Sequence, residues 1–223
     1  MGYKVVITGT TGMVGKGVLF ECMEHPLIES VLLVNRRSAK IEHPKVKEVL
    51  IKNFFDLTLI KEDLRGYDAC FFCLGITSLR QTEENYAKIT HDLTVQFAKT
   101  FLQLNDNSVF CYVSGAGTDS SEKGSIMWAR VKGKTENDLL SMGFKGAYMF
   151  RPGYIQPLRG IKSKTQWYQA LYTVFWPVYL ILKHFSGAAT NTTNMGLAMI
   201  NTLKGKCSKT ILETKDINKL SAL

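Results

Sequence analysis

The sequence predicts an α/β fold, a doubly wound parallel sheet with helices on both faces and a small C-terminal substrate subregion, on three observations. The apolar run Tyr3-Lys4-Val5-Val6-Ile7 leads into a glycine-rich turn and then into apolar residues at helical spacing over 14–23. Short apolar, β-branched or aromatic runs recur at 30–34, 48–51, 69–74, 109–113, 147–150 and 210–213, and parallel pairing of such runs is met by crossover helices between them. A chain of 223 residues with 45% hydrophobic and 21% charged residues has the material for one large core. The expected organisation is one domain of about seven strands, with residues 1–155 as the cofactor-binding core and 156–223 as the substrate subregion.

The turn after the first strand reads Gly9-Thr10-Thr11-Gly12-Met13-Val14-Gly15. Gly9 permits a sharp bend, Gly12 lets the backbone approach a pyrophosphate, and Gly15 lets helix and strand pack closely. The amides around Thr11, Met13 and Val14 open a helix whose dipole favours an anion. Strand, glycine turn and helix in this order point to a dinucleotide cofactor. An NAD site places a carboxylate after the second strand to hold the ribose 2′-hydroxyl, whereas this chain has Asn35-Arg36-Arg37. Two guanidiniums cannot accept from a hydroxyl, but they can hold a 2′-phosphate and stack on adenine. The cofactor expected is NADP.

The Gly-x-x-Gly-x-x-Gly spacing after Thr8 resembles the extended and atypical short-chain dehydrogenases. The likeness continues through Asn35-Arg36-Arg37, Tyr112-Val113-Ser114-Gly115-Ala116-Gly117, Val131-Lys132-Gly133-Lys134-x-Glu136 and Phe150-Arg151-Pro152-Gly153. These stretches resemble the branch related to the Tat-interacting-protein oxidoreductases, which includes bacterial proteins labelled epimerase/dehydratase-like. The resemblance implies a Rossmann-like fold, NADPH and an ill-defined substrate. It implies that Asp56 meets the adenine amino group with Phe55 as a neighbouring wall, and that Leu74 and Gly75 pass close to the cofactor ribose. It sets Pro152 and Gly153 against the nicotinamide amide. On the same resemblance Ser114 orients the substrate oxygen, and Lys132 holds the nicotinamide ribose and lowers the pKa of a tyrosine one helical turn earlier.

That tyrosine position holds Trp128. An indole N–H donates a hydrogen bond but does not titrate near neutrality. Trp128 can therefore bond a carbonyl without acting as its acid or base. Tyr154, Tyr112, Ser125 or a water are the replacements to consider, Tyr154 first. A long helix expected over 83–104 carries Tyr86, Ile89, Leu93, Phe97 and Phe101 on one stripe, suited to core packing or to a homodimer contact.

Five scattered cysteines, an odd number, argue for reduced thiols, and Cys70 and Cys73 read as buried core residues on opposite faces of a strand. The four histidines lie far apart without ligand spacing, so no metal is expected. The first residues run straight into a strand without a signal peptide, which points to the cytoplasm. The net charge of +9 is concentrated late: residues 1–150 hold 18 Lys and Arg against 17 Asp and Glu, residues 151–223 hold 10 against 2. An uncharged, aromatic-rich stretch within 166–185, broken by Pro177, is too short and interrupted to span a bilayer. It reads as a two-part helix beside the site or in a dimer interface, with a greasy pocket wall or membrane-surface contact as the alternatives.

The function expected is an NADP(H)-dependent oxidoreductase acting on a small or apolar carbonyl or alcohol, with a small-molecule substrate and no nucleic-acid partner. One alternative is an NADPH-sensing binding protein without chemistry. Another is a sugar-nucleotide epimerase or dehydratase, whose anionic substrate would match the basic C-terminal third.

Overall fold

The computed structural model describes residues 2–161, 187, 189–205 and 207–223. Its strands are β1 (Tyr3–Thr8), β2 (Ile28–Asn35), β3 (Val46–Leu50), β4 (Ala69–Phe72), β5 (Val109–Val113), β6 (Gly146–Arg151), β7 (Tyr154–Gln156), β8 (Ala189–Asn191) and β9 (Ile211–Glu213). Seven form one sheet in the order β3-β2-β1-β4-β5-β6-β9, and every pairing is parallel. The order reverses between β1 and β4, so the crevice beyond their carboxyl ends is the switch point where such sheets bind ligands.

Strand periodicity assigns each side chain to a face. Val5 and Ile7 of β1 enter one core, while Val6 enters the other. Because both faces are covered, β1 and β2 read as nearly unbroken apolar runs. Helices α1 (Met13–Glu24), α2 (Glu83–Ala87), α3 (Leu93–Leu104), α4 (Met127–Ser141), α5 (Thr192–Thr202) and α6 (Thr214–Ser221) supply the cover. Val18 and Leu19 of α1, Met195 and Met199 of α5, and Ile217 of α6 pack on the first face. Leu93, Phe97 and Phe101 of α3 and Leu139 of α4 pack on the second. Phe97 sits 5.4 Å from Phe72 and 6.2 Å from Phe54 between ring centres.

The helix expected over 83–104 is interrupted by a widened π-type turn at Lys88–Asp92. The turn brings Thr90 into the buried set and leaves Ile89 half-buried, so four of the five stripe residues are core. Two further elements add to the sequence reading. The β7–β8 pair is a separate two-stranded ribbon, too short to show a period. α6 follows β9 directly and opens on a capping box in which Glu213 and Asp216 satisfy each other's backbone amides.

Close helix packing explains two glycines. A Cβ on Gly17 would lie 2.5 Å from Thr192 Cβ, and one on Gly196 would lie 2.6 Å from Glu21 Cγ. α1 and α5 thus pack closely at both glycines, with Thr192 and Glu21 in the space that a Cβ would need, and the buried Glu21 carboxylate accepts from Thr193 Oγ1 at 2.9 Å. Among the described residues no helix is long and apolar enough to cross a membrane; the whole of 166–185 lies outside them.

Candidate functional site

A cleft of about 440 Å³ opens at the switch point, lined by Gly9, Thr11, Gly12, Asn35, Arg36, Arg37, Phe54, Cys73, Leu74 and Gly75. Seven residues singled out in the sequence therefore share one cavity. Gly9 has φ of +71°, and a Cβ there would fall 2.6 Å from the Cys73 carbonyl oxygen, so no other residue passes β4 this closely. Gly15 abuts the turn itself, since its Cβ would lie 2.5 Å from the Gly9 carbonyl. Its closest backbone neighbour is thus the turn. Gly12 caps α1 without a side-chain acceptor, and its own amide donates to Gly9 O at 2.9 Å. The amides of Met13, Val14 and Gly15 at the start of α1 have no intrahelical acceptor, which suits an anion.

The exposed Arg36 and Arg37 follow β2 directly, and the residue before them carries the support that the sequence reading passed over. Asn35 is buried, and its side-chain amide donates to Thr10 Oγ1 at 2.7 Å and to Glu48 Oε1 at 2.9 Å. The same Glu48 oxygen accepts from the Ala39 amide at 2.8 Å. Burial raises the Glu48 pKa, but hydrogen bonds from Ser38, Ala39 and Asn35 outweigh it and hold the carboxyl below its usual range. Glycine turn, arginine loop and β3 are thereby joined through one amide. The signal was an Asn closing the apolar run of β2 and a Glu beside Lys47 in β3.

Phe54 forms the cleft wall, in place of the expected Phe55, whose side chain is 37% exposed. Chain geometry after β3 turns Phe54 into the core beside Phe97. Asp56 stands apart from the cleft lining: its carboxylate accepts from the Thr58 amide at 3.0 Å, and the Thr58 hydroxyl and amide bonds hold its pKa low. Leu74 and Gly75 line the cleft, and a Cβ on Gly75 would meet no protein atom within 4 Å. Cys70 is buried; Cys73 is half-buried at the cleft, its thiol pKa pushed up by burial. Among the described residues no cluster of His, Cys, Asp or Glu could hold a metal ion.

Beside the cleft, β5 delivers Ser114 to the carboxyl edge. The Lys132 ammonium donates to the Ser114 carbonyl oxygen, and the Ser114 hydroxyl donates to Phe150 O at 3.1 Å. Burial lowers the Lys132 pKa to about 8 against an opposing pull from Glu136. Trp128 lies one turn earlier on α4, its ring tip 3.6 Å from where a Cβ on Gly117 would be. The loop 114–124 crosses α4 very closely. A Cβ on Gly133 would sit 1.8 Å from Asp119 O, and the Asp119 amide donates to Ala129 O at 3.1 Å.

Of the replacement acids, Tyr112 is buried in the core and burial drives its phenol pKa well up, which removes it from consideration. Tyr154 lies on β7, and its hydroxyl donates to Gln156 Oε1 at 2.7 Å. The Pro152 carbonyl accepts from the Ala116 amide at 2.9 Å, and the Gly153 amide donates to Thr214 Oγ1 at 2.8 Å. These two groups bind the edge loops together, and neither residue lines the cleft.

Behind Lys132 lies an ion pair that sequence reasoning quoted without a role. Glu136 is fully buried, and both its oxygens lie 3.1 Å from Arg151 Nε. Arg151 also donates to Ser120 Oγ at 2.5 Å and approaches Glu213 at 3.6 Å. One guanidinium thus ties β6 to α4, to the loop 114–124 and to β9.

No protein-family model matches the chain. Protein HTATIP2 of Rattus norvegicus is 26% identical over 218 residues, 96% of this chain and 87% of that protein. Protein FMP52, mitochondrial, of Meyerozyma guilliermondii is 28% identical over 156 residues, 68% of this chain and 65% of that protein, less than two thirds of its length. Among solved structures, the Bordetella bronchiseptica enzyme WbmH in complex with NAD+ superposes with a TM-score of 0.64 at 15% identity, covering 91% of this chain and 72% of that one. Carbonyl reductase Sniffer of D. melanogaster does so with a TM-score of 0.63 at 13% identity, covering 96% and 98%. The fold is Rossmann-like, as in these nucleotide-binding and reductase structures.

Proposed function

Taking the chain as a distant homologue of the HTATIP2 and FMP52 proteins, we propose that it is an NADP(H)-binding oxidoreductase acting on a small or apolar carbonyl or alcohol. The observation that carries this reading is the shared lining of one cleft by Gly9, Gly12, Arg36 and Arg37. A diphosphate fits the first-turn amides of α1, and the two guanidiniums supply the bidentate, always charged donors that a 2′-phosphate requires. A carboxylate in that place would favour NAD instead.

When bound, the nicotinamide supplies or takes up a hydride. The chain's own residues hold and orient. Lys132 is anchored on the Ser114 carbonyl by one N–H and keeps two more donors for ribose hydroxyls. Ser114 offers its remaining hydroxyl lone pairs and, after rotation away from Phe150 O, a donor for the substrate oxygen. Trp128, on the same helix face as Lys132, carries an indole N–H that can donate to a substrate carbonyl.

Trp128 also favours a second reading, a protein that binds NADPH and turns over slowly or not at all. Purified protein with a panel of aldehydes and ketones separates the two. NADPH oxidation abolished by Lys132→Ala supports the enzyme, whereas tight NADPH binding without turnover supports the sensor. Absence of NADPH binding contradicts both.

A further inference from the structure

We propose that Glu136 is a positioning residue whose buried carboxylate keeps the Lys132 ammonium charged and so sustains its hold on the cofactor ribose. The inference rests on the reading of Lys132 given above. Glu136 follows Lys132 by four residues on α4, which places the two on one helix face, with Cβ atoms about 5–6 Å apart. Glu136 has no exposed surface, so its field is little screened by water. Burial works against the lysine charge, and Glu136 is the group that opposes it.

Burying a salt bridge carries a desolvation cost that an apolar pair of similar volume would avoid. The Arg151–Glu136 pair needs a further reason to exist, and the neighbouring cation supplies one. Arg151 clamps the carboxylate from β6 through both oxygens and fixes it in place one helical turn from Lys132. The other titratable groups on the elements packed around α4 are differently disposed. Tyr112 of β5 and Tyr86 of α2 are buried phenols with raised pKa. His91 of the π-type turn is bonded to Asp92 and to Asp138 of α4, and Glu213 of β9 faces Arg151.

The test is a pH titration of protein labelled with 13C at lysine Cε, followed by NMR without cofactor, beside NADPH affinity measured across the same range. The wild-type Lys132 signal is expected to titrate near pH 8. Glu136→Gln is expected to move that midpoint to lower pH by about one, and to move the pH at which NADPH affinity falls by the same amount, with affinity at pH 6 retained. A merely structural role would weaken binding at every pH and leave the midpoint where it was; that outcome overturns the proposal. If Glu136→Gln does not fold, the double variant Glu136→Gln/Arg151→Met is compared with Arg151→Met, so that only the Glu136 charge differs; a lower Lys132 midpoint in the double variant supports the proposal and an equal midpoint overturns it. Failure of the wild-type protein to bind NADPH overturns the cofactor reading and the ribose half of the proposal with it, while the midpoint still reports whether Glu136 sets the charge of Lys132.

Discussion

Arg36 and Arg37 stand exposed on the rim of the cleft, immediately after the buried Asn35. If they read a 2′-phosphate, Arg36→Ala removes a charge-assisted hydrogen bond of about 1.5–3 kcal/mol, so NADPH affinity falls about 10–100-fold. NADH affinity is expected to stay level, and fluorescence titration of both nucleotides checks the difference. Lys132 gives a pH signature. Its pKa, lowered by burial to about 8, means that NADPH affinity is level below that pH and declines above it as the ammonium loses its proton. Lys132→Met is expected to remove the decline; a decline that persists assigns it to another group. Trp128 is the residue that limits turnover in this account. Trp128→Tyr restores a titratable hydroxyl one turn from the lysine, and turnover of a reducible carbonyl is expected to rise by about 10²-fold or more. Equal rates in steady-state assays would show that the tryptophan is not what limits the chemistry.

At the scale of elements, α4 and the loop crossing it hold the site together. Gly133→Ala would drive a Cβ to 1.8 Å from the Asp119 carbonyl, and since that atom is backbone, the loop must move. The expected loss is about 1–3 kcal/mol of stability, read by urea unfolding, with weaker cofactor binding as Ser114 shifts. Wild-type stability in that variant would mean that the loop is free to yield. These close approaches were hidden in the sequence because a glycine does not announce its neighbour. The glycine turn after β1 and the apolar runs of the sheet were legible, since their periodicity is local and both faces of the sheet are buried. Phe54 and Phe55 are adjacent in sequence, and only the course of the chain after β3 decides which one enters the cleft. Asn35, Glu136 and Arg151 stood in quoted motifs without a role, and Glu48 only as part of a strand, because each acts through a partner from another element. The capping box of α6 was readable as Glu213 and Asp216 three residues apart.

For the whole molecule, the sheet order reverses between β1 and β4, and the cleft lies where that reversal parts the loops. A ligand that binds there and not to the unfolded chain stabilises the fold by mass action, about 2.7 kcal/mol at a hundred times its Kd. For a chain of this size that corresponds to a rise in Tm of about 5–10 °C. The most direct test of the central claim is isothermal titration calorimetry of the wild-type protein with NADPH and with NADH. The account expects one site per chain and NADPH the tighter ligand by at least about tenfold. Equal affinities, or no heat with either nucleotide, would contradict it.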